Sequence, residues 1–178
     1  MKDKYIVLIV GKSGSGKSTI CDRLTEQYGL KQVKSYTTRP RRGDGDNSHI
    51  FVSDAEFAKL ENKCAYTVYD NHKYCATTEQ VDNADLYIID VDGVGYFLSH
   101  YGGRKIPMVV CIETSKGVRK KRMMQRGDAE YKVANRLRYD KAHFGDADEY
   151  AIKTYQNETE EDLDKIVKNI YNVFFYEG

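Results

Sequence analysis

The residues best suited to chemistry stand together near the N-terminus. They read Gly11-Lys12-Ser13-Gly14-Ser15-Gly16-Lys17-Ser18-Thr19, which matches G-x-x-x-x-G-K-[ST] without a gap. Glycines let such a loop turn with its backbone N–H groups inward, and a following helix N-terminus adds partial positive charge. Lys17 would reach the β- and γ-phosphates of a nucleoside triphosphate, and the Ser18 hydroxyl would hold Mg²⁺. We therefore predict an ATP site formed by Gly11, Ser13, Gly14, Ser15, Gly16, Lys17, Ser18 and Thr19.

A cluster of arginines follows about twenty residues later. Arg39, Arg41 and Arg42 lie in a polar segment, 37–48, that is rich in Arg, Gly and Asp and therefore indicates a loop. Guanidinium groups bind phosphate oxygens with two hydrogen bonds and keep their charge, so these residues could clamp a phosphorylated acceptor. The alternative is a solvated surface, which is the more common meaning of an isolated charge run.

Two acidic residues follow a second apolar run. Asp90 comes directly after Leu86-Tyr87-Ile88-Ile89, at the predicted end of a buried strand. Nucleotide-binding folds hold Mg²⁺ with a carboxylate at this position, so we predict that Asp90 and Ser18 hold the metal. For Asp92, a role in the site and a role as the cap of the next helix fit equally well.

A second basic cluster lies further along the chain. Arg122 and Arg126 are four residues apart and share a helix face. Arginines that close over a transferring phosphoryl group stabilise its charge, and we predict this role for Arg122, Arg126 and Arg136, with Lys17 as the fourth catalytic residue. A solvated basic helix is the alternative and accounts for Lys120 and Lys121.

The remaining pattern predicts the elements that position these groups. Apolar runs at 5–10, 86–90 and 108–112 indicate strands buried on both faces. Further strands are predicted at 31–36 and 150–154, and a hairpin joins 64–69 to 73–76 through Asp70 and Asn71. Helices are expected after the loop, from Ser53 to about residue 60, weakly over 93–101, at 115–126 and 130–144, and from Thr159, with Val173 on its buried face.

This alternation predicts an α/β fold, a three-layer α/β/α sandwich with a mainly parallel central sheet. We expect a single domain over 1–178, with a core at 1–30 and 82–178. An inserted acceptor-binding lobe would occupy about 31–81, and a helical lid about 119–140.

Composition narrows the possible partners. The 178 residues carry 28 basic and 27 acidic side chains, and a formal net charge of +1 gives no whole-molecule field for nucleic acid or an anionic membrane. The four cysteines lack metal-ligand spacing and are expected to be buried thiols. The sequence shows no signal-peptide core and no membrane-length apolar run. We expect a cytoplasmic protein, monomer or homodimer, whose partners are small-molecule nucleotides.

Several of these segments together resemble the guanylate kinases. They are Ser35-Tyr36-Thr37-Thr38-Arg39-Pro40-Arg41-Arg42, then 51–53 with 56–57, 90–95 and 122–127. The resemblance implies an ATP- and Mg²⁺-dependent nucleoside monophosphate kinase with a core, an acceptor lobe and a lid. It implies that Arg39, Arg42 and Tyr74 bind the acceptor phosphate, with Ser35 near the base. The full predicted acceptor set is Ser35, Arg39, Arg42, Asp44, His49, Tyr74 and Asp92.

The chain departs from that family where the base would bind. The family's guanine-reading glutamate aligns with Ala65, and its phosphate-contacting tyrosine with His49. The family's Tyr-Gly-Ser/Thr turn is Tyr74-Cys75-Ala76 here. Asp70 could replace the missing carboxylate, and Thr77 or Thr78 the missing hydroxyl.

Three functions therefore stay open. GMP or dGMP is the first acceptor that the resemblance implies. A same-fold kinase with another acceptor is the second, because 47–50 resembles the ribose 1,5-bisphosphate phosphokinases. A non-catalytic interaction module is the third, although such relatives typically lose the phosphate loop, which this chain keeps whole.

Overall fold

The computed structural model describes residues 4–41, 43–145 and 147–176. Over these residues the strands are β1 (Tyr5–Gly11), β2 (Tyr36–Thr37), β3 (Ile50–Phe51), β4 (Lys63–Tyr69), β5 (His72–Thr77), β6 (Leu86–Ile88), β7 (Ile106–Glu113) and β8 (Lys153–Gln156). The helices are α1 (Lys17–Tyr28), α2 (Asp54–Lys59), α3 (Thr78–Asp82), α4 (Val91–His100), α5 (Lys116–Gln125), α6 (Glu130–His143), α7 (Ala147–Tyr150) and α8 (Glu160–Phe174).

The core is a four-stranded parallel sheet in the order β6-β1-β7-β8. Successive side chains of β1 point to opposite faces, and those from Ile6 to Val10 are all buried because helices cover both sides. Ile6, Leu8 and Val10 pack in the cluster that contains Phe97 of α4. Val7 and Ile9 pack in the cluster formed with α1 and α8. The predicted three-layer α/β/α fold is therefore confirmed.

A second, mixed sheet in the order β3-β2-β5-β4 forms a lobe beside the core. The predicted hairpin is confirmed, and its turn residues Asp70 and Asn71 have φ of 51° and 60°. Two consecutive positive φ values suit the right-handed twist of the flanking strands, and Asp and Asn tolerate them better than most residues. The Ser53–Glu56 capping box that begins α2 is also present.

Several predicted boundaries of strands and helices differ from those in the structure. The strand expected at 31–36 reduces to an isolated bridge between Gln32 and Leu86 and to β2, because here the chain leaves one sheet for the other. The strand expected at 86–90 ends at Ile88. Accordingly, α4 begins at Val91 rather than at residue 93.

The last strand begins at Lys153, whereas 150–154 was expected. The alternation of Tyr150 and Ile152 suggested burial, but Tyr150 ends α7 and Ile152 is 57% exposed. Pairing with Val110–Glu113 of β7 buries Tyr155 instead. Val173 of α8, expected on the buried face, is 53% exposed.

Candidate active site

The phosphate loop joins β1 to α1 at the carboxyl end of the sheet. Two of its positions require glycine because neighbouring atoms leave no room for a Cβ. Gly14 and Gly16 have φ of 78° and 97°. A Cβ on Gly16 would lie 2.4 Å from the Asn157 amide nitrogen, and one on Gly14 would lie 2.8 Å from the Arg119 carbonyl oxygen. Neither contact leaves room for a side chain, so the loop can keep this shape only with glycine at both positions.

Lys17 opens α1 and points back into the loop. Its Nζ donates to the carbonyl oxygens of Gly11 at 2.6 Å and Lys12 at 3.1 Å. Burial lowers the pKa of Lys17 to about 8, although the nearby Asp140 carboxylate raises it in part. The neighbouring Ser18 and Thr19 are exposed on the first turn of the helix. The lysine is thus held by the loop in the direction that the sequence predicts.

The buried Asn157 and the half-buried Thr114, which the sequence did not single out, hold the back of the loop. The Ser15 carbonyl accepts hydrogen bonds from the Asn157 amide at 2.7 Å and the Thr114 hydroxyl at 3.2 Å. Asn157 is 1% exposed and follows β8 directly. A single sequence gives little sign of this role, because it depends on how β7 and β8 meet the loop.

A buried ion pair also contacts the loop. Arg119 of α5 donates to Asp140 of α6 at 2.7 Å, and the two side chains are 7% and 9% exposed. Asp140 accepts from the backbone N–H of Ser13 at 3.1 Å and from the Ser13 hydroxyl at 3.2 Å. Neither Arg119 nor Asp140 was among the site residues predicted from the sequence.

The three predicted lid arginines form two groups. Arg122 lies beside the loop, 3.4 Å from the Ser15 carbonyl oxygen. Arg126 binds Asp128 at 2.5 Å, and Arg136 approaches the same carboxylate at 3.6 Å. Asp128 therefore gathers Arg126 and Arg136 at the break between α5 and α6.

On the lobe, Arg39 and Arg41 are the described members of the predicted phosphate clamp, and Arg42 lies outside the described residues. Arg39 is bound by Asp46 at 2.9 Å and lies 5.1 Å from the centre of the Phe51 ring. Arg41 lies nearer to that ring, at 4.4 Å, and donates to the Asp46 backbone. Asp44, predicted for the acceptor, is exposed on the same loop, and Asp46 is the carboxylate that orients Arg39.

The structure brings together Ser35, His49 and Tyr74, which belong to the predicted acceptor set. The Ser35 hydroxyl and His49 Nδ1 are 2.9 Å apart, and the His49 ring meets the Tyr74 ring edge-on with centres 5.5 Å apart. These residues line a cavity of about 300 Å³. The same cavity is lined by Gly11, Ser13, Lys17, Ala65, Asp90 and Asp92.

The lid closes that cavity with a face of α6 that sequence reasoning missed. Tyr139, Asp140, His143 and Phe144 all line it. The Tyr139 ring packs edge-on against Tyr69 of the lobe, with centres 5.0 Å apart. Spacings of three and four residues from Arg136 were the available signal, because they place these side chains on one side of a helix.

The structure does not bring together the residues that the sequence offered for recognition of a base. Ala65 is buried in the cavity wall. Asp70 lines an adjoining outer cleft, together with Arg39 and Arg136, and this cleft shares Tyr69, Tyr74 and Tyr139 with the cavity. Ala65 and Asp70 are five positions apart along an extended segment, a distance of roughly 16 Å. Thr77 caps α3, and Thr78 donates to the Asn62 carbonyl. These hydroxyls are therefore already engaged, and Asp70 is too far from Ala65 to replace a carboxylate there.

Asp90 is the N-cap of α4, accepting from the Gly93 N–H at 2.6 Å, so the cap considered for Asp92 belongs to Asp90. Desolvation by the cleft walls raises the pKa of Asp90. Its carboxylate and the Ser18 hydroxyl are hard oxygen donors of the type that Mg²⁺ binds. Among the described residues no cluster of three or more His, Cys, Asp or Glu could hold a metal.

The fold and loop define a phosphate-loop nucleotide-binding protein, and comparison with known proteins agrees. A family model described as an AAA domain matches residues 7–163. The guanylate kinase of Campylobacter jejuni (strain RM1221) is 28% identical over 134 residues, covering 68% of this chain and 65% of that protein. Guanylate kinase of Caldanaerobacter subterraneus is 38% identical over 78 residues, covering 40% and 38%.

Among solved structures, the crystal structure of guanylate kinase from Anaplasma phagocytophilum superposes with a TM-score of 0.60. It is 16% identical and covers 99% of this chain and 89% of that one, which is a likeness of fold. The chain belongs to the AAA domain family. It is similar in sequence to guanylate kinases. The match spans just under two thirds of the length of the Campylobacter jejuni relative.

Proposed function

We propose that the protein transfers a phosphoryl group from ATP to a nucleoside monophosphate, with GMP or dGMP as acceptor. One observation carries this proposal. A single cavity is lined both by the phosphate loop, through Gly11, Ser13 and Lys17, and by the lobe residues Ser35, His49 and Tyr74. A donor phosphate and an acceptor bound at these two walls would face each other, which is the geometry that phosphoryl transfer needs.

In this mechanism the protein supplies position and charge. Lys17 and the loop N–H groups hold the donor phosphates, and Arg39 with Tyr74 holds the acceptor phosphate. Arg122, Arg126 and Arg136 stabilise the charge on the transferring group. Ser18 and Asp90 would hold Mg²⁺, which neutralises phosphate charge when it is bound.

A second candidate acceptor follows from the cavity wall. The guanine-reading carboxylate of the family is replaced by Ala65, and Asp70 lies about five residues further along the hairpin. A cavity without that carboxylate discriminates less between bases. We therefore keep another nucleotide, or ribose 1,5-bisphosphate, as the second acceptor.

We place the protein in the cytoplasm, in purine nucleotide metabolism, with nucleotides as its partners and as a monomer or homodimer. No helix in the described part of the chain is long and apolar enough to cross a membrane. Cys21, Cys64, Cys75 and Cys111 are buried and none of these four is in a disulfide, which fits a reducing compartment.

The direct test is ADP release from MgATP, measured with a panel of nucleoside monophosphates, their deoxy forms and ribose 1,5-bisphosphate. We expect the highest kcat/KM with GMP or dGMP. Turnover with ribose 1,5-bisphosphate alone would replace the proposed acceptor by the second one. ADP release that is independent of any acceptor would contradict both.

A further inference from the structure

The buried Arg119–Asp140 pair has a feature that an ion pair needed only for packing would lack. Both carboxylate oxygens of Asp140 are turned to the phosphate loop, to the N–H and the hydroxyl of Ser13. Arg119 also donates to the Ser13 carbonyl, at 3.2 Å. The pair therefore holds this one loop residue through its N–H, its hydroxyl and its carbonyl.

The Ser13 N–H belongs to the loop whose backbone donors bind phosphate oxygens. A carboxylate that accepts from this N–H satisfies it with the same chemistry that a phosphate oxygen offers. A phosphate at this position would also approach a negative charge in a cleft where water screens it poorly. Asp140 and a bound phosphate thus compete for one donor.

Asp140 also connects the loop with the lid. It lies on α6 one helical turn after Arg136, and Tyr139 beside it packs against Tyr69 of the lobe. Whatever displaces the Asp140 carboxylate from Ser13 therefore acts on the helix that carries Arg136.

Resting on the function proposed above, we propose that Asp140 is a positioning residue that competes with nucleotide phosphate for the Ser13 N–H. When phosphate takes this donor, Asp140 releases the loop and α6 becomes free to bring Arg136 to the phosphoryl group. Asp140 thereby weakens ATP binding and couples the binding of phosphate to the movement of the lid.

The chain offers a matched control in its other described buried ion pair with backbone contacts. Asp85 binds Lys105 at 3.3 Å and accepts from the Lys31 N–H at 2.9 Å. It precedes β6, and the loop follows β1 at the opposite end of the sheet. Loss of Asp85 therefore reproduces the loss of a buried carboxylate without touching the loop.

The experiment measures the dissociation constant of MgATP by calorimetry for the wild type, Asp140→Asn and Asp85→Asn. We expect Asp140→Asn to bind MgATP roughly tenfold more tightly, because a weaker neutral acceptor replaces the carboxylate at Ser13. The KM for ATP should fall in parallel, and kcat should not rise. Asp85→Asn should bind as the wild type does. Unchanged or weaker binding by folded Asp140→Asn would overturn the inference.

Asp140→Asn leaves Arg119 buried without its partner, so circular dichroism must show that this variant is folded. If it is not, Arg119→Gln combined with Asp140→Asn decides the question, because it removes both charges and strands neither. Tighter MgATP binding is again the expected result, and unchanged or weaker binding overturns the inference. A wild-type protein that does not bind MgATP at all would refute the proposed function itself, and the inference with it.

Discussion

The phosphate loop takes its functional groups from one short segment of the chain, whereas the acceptor lobe takes them from several segments. The loop is one continuous segment whose glycines, lysine and helix N-terminus lie within nine residues. The acceptor side is assembled from β2, the following loop and the β4–β5 hairpin, with α6 closing over it. A contiguous site keeps its chemistry as long as its short motif is kept. A distributed site can lose one specificity-determining contact through a single substitution and keep the others.

The largest effect is expected at the contiguous site. Lys17→Ala should reduce phosphoryl transfer by about a hundredfold to a thousandfold or more, because nothing else supplies a fixed charge at the β/γ-phosphates. Lys165→Ala, on the exposed face of α8, is the control and should leave the rate unchanged. Steady-state kinetics measure both. Wild-type turnover in Lys17→Ala would remove the phosphate loop from the mechanism.

Arg39→Ala tests the acceptor side alone. Loss of a charged hydrogen bond should raise the KM for the acceptor about tenfold to a hundredfold, with the KM for ATP nearly unchanged. Arg41→Ala is the matched control, because Arg41 donates to a backbone carbonyl on the same loop and should have a much smaller effect. Equal changes in both KM values would mean that Arg39 does not distinguish the two substrates.

Ala65→Glu should restore a base-reading carboxylate to the distributed site. We expect kcat/KM for GMP to rise about tenfold to a hundredfold, from the worth of a charged hydrogen bond, while AMP gains nothing. Asp70→Ala is the control and should leave GMP kinetics unchanged, because Asp70 lies roughly 16 Å along the strand from position 65. Loss of GMP turnover in Asp70→Ala would show that the hairpin tip reads the base instead.

The smallest effect concerns the protonation of Lys17. Burial lowers its pKa to about 8, so the free protein loses this charge as the pH rises through that value. Phosphate favours the charged form, so binding above about pH 8 must take up a proton. The dissociation constant of ATP should then rise by up to about tenfold per pH unit between about pH 8 and 9.5.

Calorimetry in buffers of different ionisation enthalpy detects that proton directly. In Lys17→Arg, which stays charged throughout this range, the proton uptake should disappear. Absence of proton uptake by the wild type at about pH 9 would mean that Lys17 keeps its charge in the free protein.

The same contrast explains what could be predicted from the sequence. β1, the loop and α1 follow from local patterns, since an apolar run buried on both faces and a contiguous motif need no distant partner. Asn157 and Asp140 could not be found in that way. Each acts on a residue that is close only after folding, such as Ser15, 142 positions from Asn157. The shifted start of β8 has the same origin, because pairing with β7 overrides the local alternation at Tyr150 and Ile152.

We propose that phosphoryl transfer from ATP to a nucleoside monophosphate takes place in one cavity. Incubation with ATP labelled in its γ-phosphate, GMP and Mg²⁺, followed by separation of the products, tests it most directly. We expect label in the β-phosphate of GDP, together with an equal amount of ADP. Lys17→Ala should abolish the formation of labelled GDP. Label recovered only as inorganic phosphate, or none transferred to any acceptor, would contradict the proposal.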